Sequence, residues 1–139
     1  MHERRTYPHL LPGDAPILTE YLKRYGDRYT QVIFDHRIGN GRDPGPSYEN
    51  NIRQMAIDLS QRRIDALGIT PTEHHIIEVT DAAGTTAVGQ LIAYKQLLQD
   101  QLTPGRTIKL VLVARSVQSD IRPALLTIGA EIHCFPEIP

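Results

Sequence analysis

The sequence predicts an α/β fold built on a mixed sheet, and three stretches carry that prediction. The run "TIKLVLVARS" is almost continuously apolar, as expected of a strand covered on both faces. The segment "TAVGQLIAYKQLLQDQ" repeats Ala87, Leu91, Tyr94, Leu98 and Leu102 at helical spacing. Between these and the N-terminal half, "RRIDALGIT" and "HHIIEVT" flank the turn-like "PTE" and read as an antiparallel hairpin. Helices and strands in alternation, with one strand buried on both faces, imply helices packed on both sides of a sheet.

In chain order, residues 1–16 hold three prolines and no apolar period, and are expected to form an extended arm ahead of one domain spanning 17–139. "ILTEYLKRYG" places Ile17, Leu18, Tyr21, Leu22 and Tyr25 on one helical stripe and stops at Gly26. "TQVIFDHRIG" is rich in β-branched and aromatic residues and predicts a strand ended by Gly39. "NGRDPGPSYEN" is a loop by composition. "YENNIRQMAIDLSQ" has no clear period and fits either a short helix or another extended run. After the hairpin and the long helix, which follows Gly84 and two threonines able to cap it, the buried strand leads to the short helix "SDIRPALLTIG". A last strand, "AEIHCF", ends the fold.

At 139 residues the chain is long enough to bury one core. Its formal net charge of −1 gives no overall basic field of the kind that draws a protein to nucleic acid. No apolar run approaches the length of a membrane span, and "MHERRTYPHLLPGD" lacks the apolar middle of a secretory signal. Cys134 is the only cysteine, which excludes an intrachain disulfide and a cysteine-built zinc site. A cytoplasmic setting is the expectation.

The residues that carry chemistry lie in the hairpin and the helix after it. Alternate residues of a strand share a face, so Arg63 and Asp65 are expected to point one way and Ile64 and Ala66 the other. Glu78 and Thr80 share a face in the next strand. In the obvious register Asp65 and Glu78 converge, and two carboxylates with water make the oxygen-rich site that magnesium favours. The alternative is a charge network, with Arg63 as the partner of Asp65. Arg37, Arg42, Arg53, Arg62 and Arg63 could face phosphates on one edge, but Asp35, Asp43, Glu49 and Asp58 are interleaved with them. His74 and His75, as strand neighbours, face opposite sides and cannot easily share a metal. His133 and Cys134 belong to the last apolar strand.

Asp65, then Glu78-Val79-Thr80, then Gln90-Leu-Ile-Ala-Tyr94 resemble, in order and spacing, the motifs of the PD-(D/E)XK nucleases, closest to their RecB-like branch. The resemblance extends over roughly residues 17–135. It implies a restriction-endonuclease-like αβββαβ core with a further helix and strand. Asp65 and Glu78 would hold magnesium, and Gln90 and Tyr94 would complete the catalytic set. Thr80 stands where the family has its catalytic lysine, and Lys95, beside Tyr94, is the nearest replacement. A one-residue step on a helix turns a side chain by about 100°, so Lys95 is expected to face away. Glu20 lies in the first helix, where the family sometimes carries an extra acidic ligand, but it is expected to face solvent; Asp35, near the end of the first strand, fits either reading.

The function that this resemblance implies, with Thr80 in the lysine's place, is a nuclease-fold protein that has lost ordinary hydrolysis. It would serve as a structural or binding subunit of a larger assembly such as a phage particle, with its arm against protein partners and DNA as a further partner. The alternative is an active magnesium-dependent DNA nuclease with a displaced lysine.

Overall fold

The computed structural model of the chain describes residues 10–139. Helix α1 (Ala15–Tyr25) leads through a single 3-10 turn to strand β1 (Gln31–Ile38), and helix α2 (Asn50–Ser60) precedes strands β2 (Arg62–Ile69) and β3 (Glu73–Ala83). Helix α3 (Thr85–Gln99), strand β4 (Thr107–Val117), helix α4 (Arg122–Thr127) and strand β5 (Glu131–Cys134) complete the chain. The five strands lie in chain order in one sheet. β1, β2 and β3 form an antiparallel meander, whereas β4 runs parallel to β3 and β5 parallel to β4. The sheet is therefore mixed and the fold is α/β, as the sequence predicts.

Two cores form on its two faces. Ile17, Leu18, Tyr21 and Leu22 of α1 pack on Ala66, Ile77, Val79, Val111, Val113 and Phe135. Ala87, Leu91, Tyr94 and Leu98 of α3 cover Ile64, Leu67, Ile76, Leu110, Leu112 and Ala114 on the other face. Fully burying one such aliphatic side chain contributes about 1.5–3 kcal/mol, so these two stripes dominate the stability of the domain.

Several boundaries differ from expectation. α1 starts at Ala15 because Pro16 suits a first helical turn, where its missing N–H is not needed. Leu10 already packs against the α1-side core. Residues 1–9, most of the expected arm and its docking on a partner, lie outside the described residues. The ambiguous "NNIRQMAIDLS" is helical, and it buries no residue: Ile52, Met55 and Leu59 are all exposed. Ile52, Met55 and Leu59 recur at helical spacing, so the period was there to read, on a face that the fold leaves exposed. Gly84 rather than a threonine caps α3, with no side-chain cap bond. Among the described residues no helix is long and apolar enough to cross a membrane.

The α1 face also carries a polar network. His75 is almost fully buried, and its Nδ1 faces both the Tyr29 hydroxyl and Arg28 Nη2 at 3.0 Å. With donors on that nitrogen, Nε2 carries the proton toward Glu73 Oε1 at 3.1 Å. His74, on the opposite face, accepts from Arg106 instead. Arg28 also grips Glu131, which His133 meets at 2.6 Å, and the His133 ring packs on Tyr21 and Tyr25. Gly68 makes room for this network: a Cβ there would lie 2.4 Å from the Tyr29 ring, whose hydroxyl is tied to Tyr21 and His75. Gly68→Ala is expected to cost about 1–3 kcal/mol in urea unfolding, because the ring cannot move aside without breaking those bonds. A cost under about 0.5 kcal/mol, the range of ordinary surface changes, would contradict that packing.

Candidate functional site

β1 and β2 bend together at Asp35 and Asp65. Asp35 has φ 54°, a left-handed conformation that aspartate tolerates better than most side chains. The bend switches the strands' inward-facing residues. Phe34 and Ala66 pack on the α1 side, whereas Ile38 and Ile64 pack on the α3 side. The expected alternation, with Ile64 and Ala66 on one face, therefore fails at Asp65, because a strand keeps period two only while its backbone stays extended.

The β2–β3 ladder runs from Ile69–His74 to Ala66–Ile77 and stops. Continued, the register would set Asp65 opposite Glu78, but there the backbone pairing gives way to side chains. The Asp65 N–H donates to Glu78 Oε1 at 3.2 Å, and the Val79 N–H donates to Asp65 Oδ2 at 2.9 Å. β3 continues beside β4 to Ala83 while β2 follows β1 to Arg62. The two carboxylates thus sit in the crotch of a fork between strands. The convergence expected of Asp65 and Glu78 is present, and it depends on this departure from regular pairing.

Their electrostatics are unusual. Glu78 is 5% exposed. Burial, then the neighbouring charge of Asp65, raises its pKa well above the ordinary carboxylate range. Burial also raises that of Asp65, and the charges of Asp14 and Asp35 add to the effect. Both groups are pushed toward their protonated forms, and Glu78, the more deeply buried, is pushed further. Among the described residues no Lys, Arg or His lies within 4.0 Å of either. Arg63, the expected partner of Asp65, binds Asp35 at 2.9 Å instead.

Tyr94 is 8% exposed and lies on the α3 side of the pair. Burial first, then the charges of Glu78 and Asp65, push its pKa up to about 12. Gln90 lies one turn earlier on α3, half-buried, and makes no hydrogen bond to either carboxylate among the described residues. Thr80 shares the α3-facing side of β3 with Glu78, since Leu112 and Ala114, their β4 partners, both belong to that core. Thr80 is half-buried, and its hydroxyl makes no hydrogen bond among the described residues.

The chain has three lysines, and none is near the fork. Lys95 lines a groove between α3 and α4 with Gln96, Gln99 and Thr127, facing away as its helical position predicts. Lys109 lies 3.6 Å from Glu131, and Lys23 is exposed in the last turn of α1. Glu20 pairs with Arg24 at 2.7 Å and takes no part in the site. The acid that sequence reasoning missed is Asp14, whose charge reaches Asp65 from the start of α1. It lay inside the expected arm, and no local pattern distinguishes it from an ordinary helix-start aspartate.

The donor set suits a hard cation. Magnesium is commonly held by one or two carboxylates and completes its shell with water and phosphate oxygens. Among the described residues no group of three or more His, Cys, Asp and Glu side chains could hold a metal, so a cation here would rest on Asp65 and Glu78 alone. Each carboxyl uses one oxygen to replace a ladder bond and keeps a second for a proton or a cation. No family model, curated protein or solved structure matches the chain.

Proposed function

We propose that this chain is a nuclease-like domain that holds a divalent cation and a phosphodiester strand at the Asp65–Glu78 fork, has lost efficient hydrolysis, and works as a binding subunit of a larger assembly. One observation carries the reading: buried Glu78 and half-buried Asp65 meet at the fork with no Lys, Arg or His side chain within 4.0 Å of either among the described residues, and the chain's three lysines lie elsewhere. A purely structural role is better served by amides, which would accept the same two backbone N–H bonds without the cost of burying charge. Acids kept at such a position are explained by a ligand of opposite charge.

A bound magnesium ion would supply charge that polarises a phosphate and lowers the pKa of a water. The chain's own residues define the rest. Asp65 and Glu78 fix the cation's place, because their backbone partners hold both carboxyls at the fork. Tyr94, on the α3 side of the pair, has a neutral phenol hydroxyl that can donate to an anion. Thr80 presents a hydroxyl but no charge where a nuclease of this kind needs an ammonium. Losing such a preorganised group costs about 10²–10³ in rate. The active-enzyme reading needs a displaced lysine, and the position of Lys95 weighs against it.

Plasmid cleavage with magnesium or manganese tests the proposal. The unaltered chain is expected to cut no faster than Asp65→Ala. Metal-dependent cutting that Asp65→Ala abolishes would overturn the loss of hydrolysis and establish an active nuclease.

A further inference from the structure

Most described arginines are engaged. Arg24, Arg28, Arg53, Arg63 and Arg115 pair with acids, and Arg106 binds three backbone carbonyls. The side chains of Arg37, Arg42 and Arg62 make no hydrogen bond or ion pair among the described residues, and all three residues are exposed. Arg42 and Arg62 line the same cavity of about 320 Å³, which lies where β1 ends, β2 begins and α2 meets the loop between β1 and α2. Arg37 is the strand neighbour of Ile38, whose side chain packs on the α3 side, so Arg37 faces the opposite side of the sheet.

The cavity wall is held in place. Gly41 has φ 66°, and a Cβ there would lie 2.3 Å from the Ile57 carbonyl oxygen, so only glycine lets the loop approach α2 this closely. The Arg42 N–H donates to Ser60 Oγ, and Gln61 Nε2 donates to the Gly39 carbonyl at 2.8 Å. The backbone that presents Arg42 is therefore fixed on one wall, and a β-strand presents Arg62 on the other. Arg62 stands three residues from Asp65 on β2, roughly 10 Å along the strand. Ile38, the cross-strand partner of Arg62, belongs to the core that Tyr94 covers, as does Leu112, the partner of Glu78, so Arg62 and Glu78 both open on the α3 side of the sheet.

We infer that Arg42 and Arg62 form a phosphate seat beside the acid fork, built to hold a phosphate of a nucleic-acid strand that passes over Asp65 and Glu78. Guanidinium groups on two walls of a cavity suit the several oxygens of a phosphate group. A separation of roughly 10 Å is of the order of that between nearby phosphates of one strand, so one strand can reach both features. The choice of a nucleic-acid strand over a free phosphate rests on the nuclease-like reading of the fork; the seat itself does not.

The test uses the full chain in EDTA, so that the acid pair contributes no cation-dependent binding. Fluorescence anisotropy of a labelled 20-mer duplex is measured for the unaltered chain, Arg42→Gln, Arg62→Gln and the control Arg37→Gln. In parallel, thermal shift is read with inorganic phosphate. Each seat substitution is expected to weaken oligonucleotide binding about three- to tenfold and to lower the salt slope by about 0.9, while Arg37→Gln changes neither. Oligonucleotide binding that ignores Arg42 and Arg62 would overturn the seat and leave the reading of the fork intact. No oligonucleotide binding, with phosphate stabilisation that both substitutions remove, would overturn the nucleic-acid strand and with it the nuclease-like reading. Neither response would overturn both.

Discussion

Thr80→Lys is expected to give the chain metal-dependent DNA cleavage at least about 10²-fold above that of the unaltered protein. The position is half-buried and faces the α3 side of the sheet together with Glu78. A two-residue step along a strand is about 6.6 Å, short enough for a lysine stem to bring its ammonium to the carboxylates. That charge would also favour ionised Glu78 and so strengthen the cation site. Adding Asp65→Ala to the same chain should remove the activity, which separates real turnover from a contaminating nuclease. A folded Thr80→Lys protein that binds manganese and DNA but cuts neither strand would contradict the claim that the fork lacks only its charge.

The second large effect concerns stability. Glu78→Gln is expected to stabilise the cation-free protein at neutral pH by about 1–3 kcal/mol, because the amide oxygen can still accept from the Asp65 N–H without the cost of burying an acid. The pH dependence follows from the raised pKa of Glu78. In the unfolded chain this group ionises near pH 4.5, whereas in the folded chain it stays protonated to a much higher pH. The folded state therefore loses stability relative to the unfolded state as pH rises above about 4.5, by up to about 1.4 kcal/mol per pH unit, until the folded pKa is passed. Burial lowers the pKa of His36, His74 and His75, so these residues act in the other direction and cost stability as pH falls below about 6.5. They are common to both proteins, so the difference between the two urea-denaturation profiles isolates Glu78. A difference that stays flat from pH 4.5 to 8 would contradict the protonated state of Glu78.

Much of this arrangement is legible in the residues, and the parts that are not have physical causes. The stripe Ala87, Leu91, Tyr94, Leu98 predicts α3 because its burial is one-sided. "TIKLVLVARS" predicts a central strand because helices cover both faces of β4. The β2–β3 register follows from a short turn, and it brings Asp65 to Glu78. The helical spacing of Ile52, Met55 and Leu59 in α2 was present in the sequence and was overlooked; the fold leaves that face exposed. The bend at Asp35 and Asp65 was hidden because a single left-handed residue inside an apolar strand leaves no periodic trace. The partner of Arg63 was misplaced because Asp35, two residues along β1 from Arg37, the cross-strand partner of Arg63, takes the guanidinium. Asp14 approaches the fork only through the packing of α1 across the sheet, a long-range contact that no local pattern encodes.

The role proposed for Asp65 and Glu78 is to keep their acidity for a cation. Calorimetric titration of manganese into the full chain tests it most directly, at pH 7.5 and again at pH 6, with Glu78→Gln alongside. The account predicts one bound ion per chain in the unaltered protein. Affinity should weaken toward pH 6, by up to tenfold per pH unit, because the ion must displace the Glu78 proton. Glu78→Gln should be as well folded and should bind at least tenfold more weakly. Manganese binding that is absent from the unaltered chain, or unchanged in Glu78→Gln, would contradict the account.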